Sequence, residues 1–427
     1  MDFEIQLAYI DPGTGSILFS ILIGCATALY FVGKAAFIKV KFLITGKGTS
    51  SASGYSPFVV YNEGKQYWNV FKPVLEEFEK RGISVVYYTS AKDDPFFDES
   101  FRHVTGTYIG EGNKACMRLN FLQADICLMT TPSLEVYQLK RSKGVKHYAH
   151  ILHDTGDVTF YRLFGIDWFD SILLSGEYQK KDIRELERIR KTREKELVVV
   201  GSAYLDVLRE KKELMQTQGT FKESSREGSA YTVLVSPSWG SGALLSAFGE
   251  KLLDPLVHTG WRIIVRPHPQ SRKSEMGILA RLQARYAEAA NVEWDYSPEN
   301  LLSLSRADVM ISDYSGIIFD FVFLFEKPVL YASSHFDLEM YDASDIDHAP
   351  WKFEAVKTFG IELNDEQLCT IQEIILRACE NKEFGEAVKR ARDTAWQHIG
   401  ESGKRAADYL VSRQSLCSGA AGGPEHV

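Results

Sequence analysis

Short, almost uninterrupted apolar runs alternate with amphipathic stretches of helical spacing along most of this chain. A strand apolar on both faces must be covered on both, so the pattern restricts the fold to parallel sheets flanked by helices, an α/β architecture. In the first series the expected strands are 57–61, 83–88, 124–129, 146–152, 171–174 and 197–200, with helices at 65–81, 178–193 and 204–215. In the second the strands are 231–235, 261–265, 308–311 and 328–331, with helices at 242–257, 275–290 and 317–325. The polar, aperiodic stretch 216–229 between them reads as a hinge. The pattern therefore predicts two doubly wound domains, 57–215 and 230–413. The second ends in a helical tail, 366–413, free to pack back over the first, and the Gly- and Ala-rich residues 414–427 are expected to be disordered.

The length, 427 residues, suits two domains with ample core, and 45% hydrophobic with 25% charged residues is the composition of a folded protein. A formal net charge of -8 gives no support to nucleic-acid binding, which needs a surplus of Lys and Arg. The six cysteines are scattered, with no CxxC pair and no His cluster at zinc spacing. No metal and no cofactor is expected, and a reducing compartment fits best.

Residues 13–33 carry no charge and are dense in Ile, Leu, Phe, Val and Ala, enough to cross a hydrocarbon core as one helix. Lys34, Lys39, Lys41 and Lys47 follow, whereas Asp2, Glu4 and Asp11 precede. The positive-inside rule then puts the N-terminus outside and the large C-terminal part in the cytoplasm. A signal peptide would need a basic start, which is missing; a buried core helix is the other reading. The expectation is a single-pass anchor at 1–43 in the cytoplasmic membrane, followed by a Gly- and Ser-rich linker at 44–56.

Four motifs follow predicted strands, where open α/β sheets bind ligands. In Arg266-Pro267-His268-Pro269, both prolines steer the preceding residue away from helix, presenting Arg266 and His268 with little freedom. Arg can grip phosphate oxygens and His can donate to them; a capped turn with a surface His is the alternative. Ser312-Asp313-Tyr314-Ser315-Gly316 opens a helix, which makes it either an anion site or an ordinary N-cap. Ser238-Trp239-Gly240 suits a phosphate or acceptor loop, with Trp239 a stacking platform or a core edge. His153-Asp154-Thr155-Gly156 offers a general base beside a carboxylate, or a turn in which Asp154 caps a helix near Thr159. Strand alternation places His150 on the side opposite His153, in a structural role.

Two Rossmann-like domains facing a cleft is the arrangement of GT-B-type transferases, and these motifs resemble the CDP-glycerol glycerophosphotransferase family. The resemblance rests on RPHP at 266–269, on SDYSG at 312–316 followed by Phe319-Asp320 and Lys327-Pro328, and on the strand and His at 150–156. It spans about 140–400, strongest over 261–332. It implies that His153 is the catalytic base and that His268 and Arg266 contact the donor diphosphate. Ser312, Asp313 and Ser315 would complete the donor site with Tyr314, Gly316 and the helix start, and Asp320 would brace the loop. The family usually has His-Gly-Thr with a nearby Lys; here Asp154 follows His153 and bears on the base or the acceptor.

The implied reaction passes glycerol phosphate, or a related alditol phosphate such as ribitol phosphate, from a CDP-linked donor to a lipid-linked or glycan hydroxyl. CMP is released without a metal. A GT-B sugar-nucleotide glycosyltransferase or nucleotide-sugar epimerase keeps the fold and changes the chemistry. A non-catalytic, membrane-tethered binding protein is the remaining reading.

Overall fold

The computed structural model describes residues 54–219, 230–332, 338–381 and 383–419, together with Ile23, Thr27, Leu29, Tyr30, Gly33 and Lys34, which are helical. Most of the predicted linker (44–53 of 44–56), most of the hinge (220–229), most of the 13–33 segment and the tail from 420 lie outside the described residues, and the linker's last predicted residue, Ser56, already opens a strand. Among those described, no helix is long and apolar enough to cross a membrane.

Residues 55–427 carry two parallel sheets. The first has seven strands: β1 (Ser56–Asn62), β2 (Val85–Thr89), β3 (Val104–Tyr108), β4 (Gln123–Met129), β5 (Gly144–Ile151), β6 (Ser171–Leu174) and β7 (Glu196–Val199). Their order is β3-β2-β1-β4-β5-β6-β7. The second has six: β8 (Thr232–Val235), β9 (Arg262–Val265), β10 (Val292–Trp294), β11 (Val309–Ser312), β12 (Val329–Ala332) and β13 (Gly360–Leu363), in the order β10-β9-β8-β11-β12-β13. Each sheet reverses direction of growth once, between β1 and β4 and between β8 and β11. That crevice is where an open α/β sheet takes its ligand.

The central strands are the predicted ones, within a few residues. Strands β3, β10 and β13 and the helices Asn113–Leu119, Leu301–Arg306 and Trp351–Phe359 are additions. The predicted helix 242–257 divides into Leu244–Ala247 and Gly249–His258, with Gly249 at φ +36° at the break. The tail divides into Ile371–Glu380, Phe384–Ala395 and Ser402–Gly419, so helix continues past residue 413, where order was expected to end.

The tail does cross back. Ala406, Ala407 and Leu410 of the Ser402 helix share a core with Phe71, Val74 and Leu75 of the helix Trp68–Lys80. Asp206 of the first half accepts from Trp396 Nε1 at 3.0 Å and from the Gly400 and Ser402 amides at 2.7 and 3.2 Å. On the other side, Asp157 accepts from the amides of Trp351 (2.7 Å) and Lys352 (2.9 Å), which open a helix of the second half. Asp342 accepts from the Phe164 amide at 2.7 Å and pairs with Arg190 at 2.7 Å. These contacts fix the width of the cleft between the halves.

Candidate active site

Register brings the second-half motifs together. Val235 of β8 lies opposite both Val265 of β9 and Ile311 of β11, so the loops beginning at Ser236, Arg266 and Ser312 leave the sheet at one level. Asp313, wholly buried, accepts from the Ser238 amide (2.8 Å), the Ser238 hydroxyl (2.9 Å) and the Leu244 amide (2.9 Å). Ser312, also buried, donates its hydroxyl to the Ser236 carbonyl at 2.5 Å. Gly240 adopts φ +107°, open to glycine, and its amide donates to Glu275 at 2.7 Å.

Four expected binding residues therefore have another task. Ser312 and Asp313 face inward and lock the Ser238 loop to the Ser315 loop, as does Ser238 with its hydroxyl. Arg266 is buried in an ion pair with Asp295 and donates to the Ser297 carbonyl at 2.7 Å. The pairing follows from register, since Trp294 stands opposite Val265 and Asp295 emerges beside Arg266. Burial would raise the Asp295 carboxyl, but hydrogen bonds from Ser297 and Ser303 and the Arg266 charge hold it at about 2. The fork of Arg266 is thus held by its own loop.

Of these loops, Trp239 and Gly316 stay exposed and His268 and Ser315 half-buried. Trp239 is 45% exposed, and its ring lies 6.4 Å from that of His268. The Gln270 amide donates to His268 Nδ1 at 3.1 Å, so Nε2 carries the proton of the neutral ring. Burial lowers the His268 pKa, against the pull of Asp313 and Glu275, and keeps that neutral donor at physiological pH. Beside it the helix Ile317–Phe325 begins at Gly316 without a side-chain cap; the Ile318 and Phe319 amides donate to the Ser315 and Gly316 carbonyls, so an anion here would meet the amides of Gly316 and Ile317. Tyr314 packs on Phe353 (4.1 Å) and Tyr331 (5.8 Å) as part of an aromatic wall. Asp320 accepts from Tyr204 (3.0 Å) and Asn300 (3.1 Å), and burial raises its carboxyl to about 7. It ties this helix to the first half.

In the first half His153 stands two residues beyond β5. Tyr161 Oη is 3.2 Å from His153 Nδ1 and 2.9 Å from His150 Nε2. The two histidines were expected on opposite sides; alternation stops at Ile151, where the strand ends, and the chain turns back. His150 is fully buried, which depresses its pKa to about 3 and keeps it neutral. Burial likewise raises Tyr161 far above its ordinary value, so it remains a phenol. The Tyr161 hydroxyl is thus shared between the two rings, and when it accepts from His153 Nδ1–H the His153 Nε2 lone pair is available. Asp154 is exposed and accepts from the Gly156 amide at 3.0 Å, closing its own turn instead of capping the helix near Thr159. Its other oxygen lies 3.7 Å from where a Cβ on Gly316 would stand. The loop of His153 and the loop of SDYSG, one from each sheet, face each other.

Residues 173–361 match the family of CDP-glycerol:poly(glycerophosphate) glycerophosphotransferases. The chain is glycerophosphotransferase-like. The resemblance carried by RPHP and SDYSG is thereby borne out, and so is the expectation of an enzyme. No curated protein matches the chain. Among solved structures, the wall teichoic acid polymerase TagF is similar at TM-score 0.55 and 13% identity, over 90% of this chain and 97% of that one. The UDP-GlcNAc 2-epimerases of Neisseria meningitidis and Methanocaldococcus jannaschii are similar at TM-scores 0.54 and 0.53. Each is 14% identical over 83% of this chain and 99% of its own. At such identities the likeness is one of fold, the two-domain GT-B-like architecture. The matched stretch of this glycerophosphotransferase-like enzyme holds every second-half motif but begins after His153. Tyr161, Asp157 and Lys352 were not singled out in the sequence, where a Tyr in a turn and a Lys at a helix start carry no distinguishing signal.

Proposed function

We propose that the cleft transfers an alditol phosphate, with glycerol phosphate the first candidate, from a CDP-linked donor to an acceptor hydroxyl and releases CMP. One observation carries the reading: the Asp154 carboxylate beside His153 comes within 3.7 Å of the Cβ position of Gly316, so base and donor loops share one site. His153 Nε2 takes the proton of the acceptor hydroxyl, whose oxygen attacks the β-phosphorus. The bond from that phosphorus to the bridging oxygen breaks, and the oxygen leaves with CMP. His268 Nε2–H and the Gly316 and Ile317 N–H groups at the helix start stabilise charge growing on the phosphates. Trp239, exposed at the rim, is suited to stack the base. The apolar residues 13–33 in the sequence support an acceptor at the cytoplasmic face of a membrane, lipid-linked or glycan.

The test is donor choice. Full-length protein is incubated with membrane extract and CDP-glycerol, CDP-ribitol or UDP-GlcNAc, and the released nucleotide is separated by chromatography. CMP from a CDP-alditol is expected; UDP release, or no nucleotide release from any donor, contradicts the reading.

A further inference from the structure

With Arg266 engaged by Asp295 and Ser297, a diphosphate entering the cleft must find its cation elsewhere. Lys352 stands there. Its amide is fixed by Asp157 at 2.9 Å, which anchors the start of the helix Trp351–Phe359 to the loop that carries His153. Its Nζ lies 3.3 Å from the centroid of the Phe160 ring and 5.6 Å from that of Phe353, so aromatic faces from both halves hold the stem and head. The charged groups that face it are Asp154 and Asp157 from the first half and Asp313 from the second. One ammonium thus feels carboxylates of both motif loops.

We propose that Lys352 is the donor-binding cation of the cleft, exchanging its carboxylate neighbours for the diphosphate of a nucleotide-linked alditol. This rests on the transferase reading above and names a residue that the resemblance did not supply. Asp157 and Asp313 are buried and committed to amide and hydroxyl donors, whereas Asp154 is exposed and, among the described residues, accepts only from the amide of the Gly156 turn. Asp154 is therefore the neighbour free to yield. A lysine suits the exchange, since its compact head can swing on a flexible stem while its amide stays bolted to Asp157.

Electrostatics supplies a signature. Burial lowers the Lys352 pKa to about 8, against the pull of Asp154, Asp157 and Asp313. A bound diphosphate favours the charged form, so affinity is full below that pKa and falls as pH rises through it. Calorimetric titration of the full chain with CDP-glycerol and with CDP, from about pH 6.5 to about pH 9, reads this directly. Wild type should weaken by up to about tenfold per pH unit above about 8. Lys352→Met, which keeps the stem over Phe160, should bind about ten- to a hundredfold more weakly at neutral pH and lose the slope. Lys352→Arg should bind near wild type and stay flat, because a guanidinium does not titrate there. A Met variant that melts like wild type yet binds with unchanged affinity and slope overturns the proposal alone. An Arg variant that is folded but as weak as Met overturns the claim that charge is what matters. Wild type that binds neither nucleotide removes the transferase reading itself.

Discussion

Tyr161 joins two histidines that lie three residues apart in sequence, its phenol within hydrogen-bond reach of a ring nitrogen of each. Tyr161→Phe removes that link without opening a cavity. We expect kcat to fall by about ten- to a hundredfold, part of what a general base supplies, with the KM for donor unchanged. A parallel loss in melting temperature, or a rise in KM with kcat intact, would make Tyr161 a packing residue only. At this scale the sequence showed which residues are special and not which way they face. RPHP and SDYSG stood out because proline and glycine restrict backbone. That Arg266 meets Asp295, or that Asp313 turns under the Ser238 loop, depends on strand register, and register is set by partners far along the chain.

Elements were legible in proportion to their burial. Strands β4, β5, β8 and β11 sit inside a sheet and read as apolar runs, whereas β3 is an edge strand of alternating exposure, VTGTY, interrupted by Gly106. A Cβ on Gly106 would lie 1.9 Å from the Phe96 ring, so a residue that weakens strand propensity is there to admit an aromatic. β10 and β13, with β10 only three residues long, are also edges and half-buried. The tail was visible as helix but not as separate helices, because its docking depends on a contact of similar kind. A Cβ on Gly403 would come within 2.5 Å of the Pro73 carbonyl oxygen, backbone that cannot move aside cheaply. Gly403→Val should cost about 1–3 kcal/mol by overpacking, read as a lower melting temperature, while donor affinity in the remaining folded protein is kept. A melting temperature equal to wild type would mean that the Ser402 helix is not held against the Trp68 helix.

Over the whole molecule, the repeated strand order explains why a chain with so few decisive motifs makes one site. Each half is a doubly wound sheet with its crevice at the reversal of strand order, and carboxylates that cross between halves set these crevices against each other. The two-domain plan was readable from the repeated pattern; the crossing contacts were not, since Asp157 and Asp342 look like ordinary loop residues. The central claim is that His153 from one half and His268 from the other act on one substrate. It is tested most directly by CMP release from CDP-glycerol, with membrane extract as acceptor, by wild type, His153→Ala, His268→Ala and the double variant. Each single change should reduce release by about a hundredfold or more, and the double should be little worse than the more damaging single. Release near the wild-type rate in either single variant, or losses that simply multiply, would contradict a shared site.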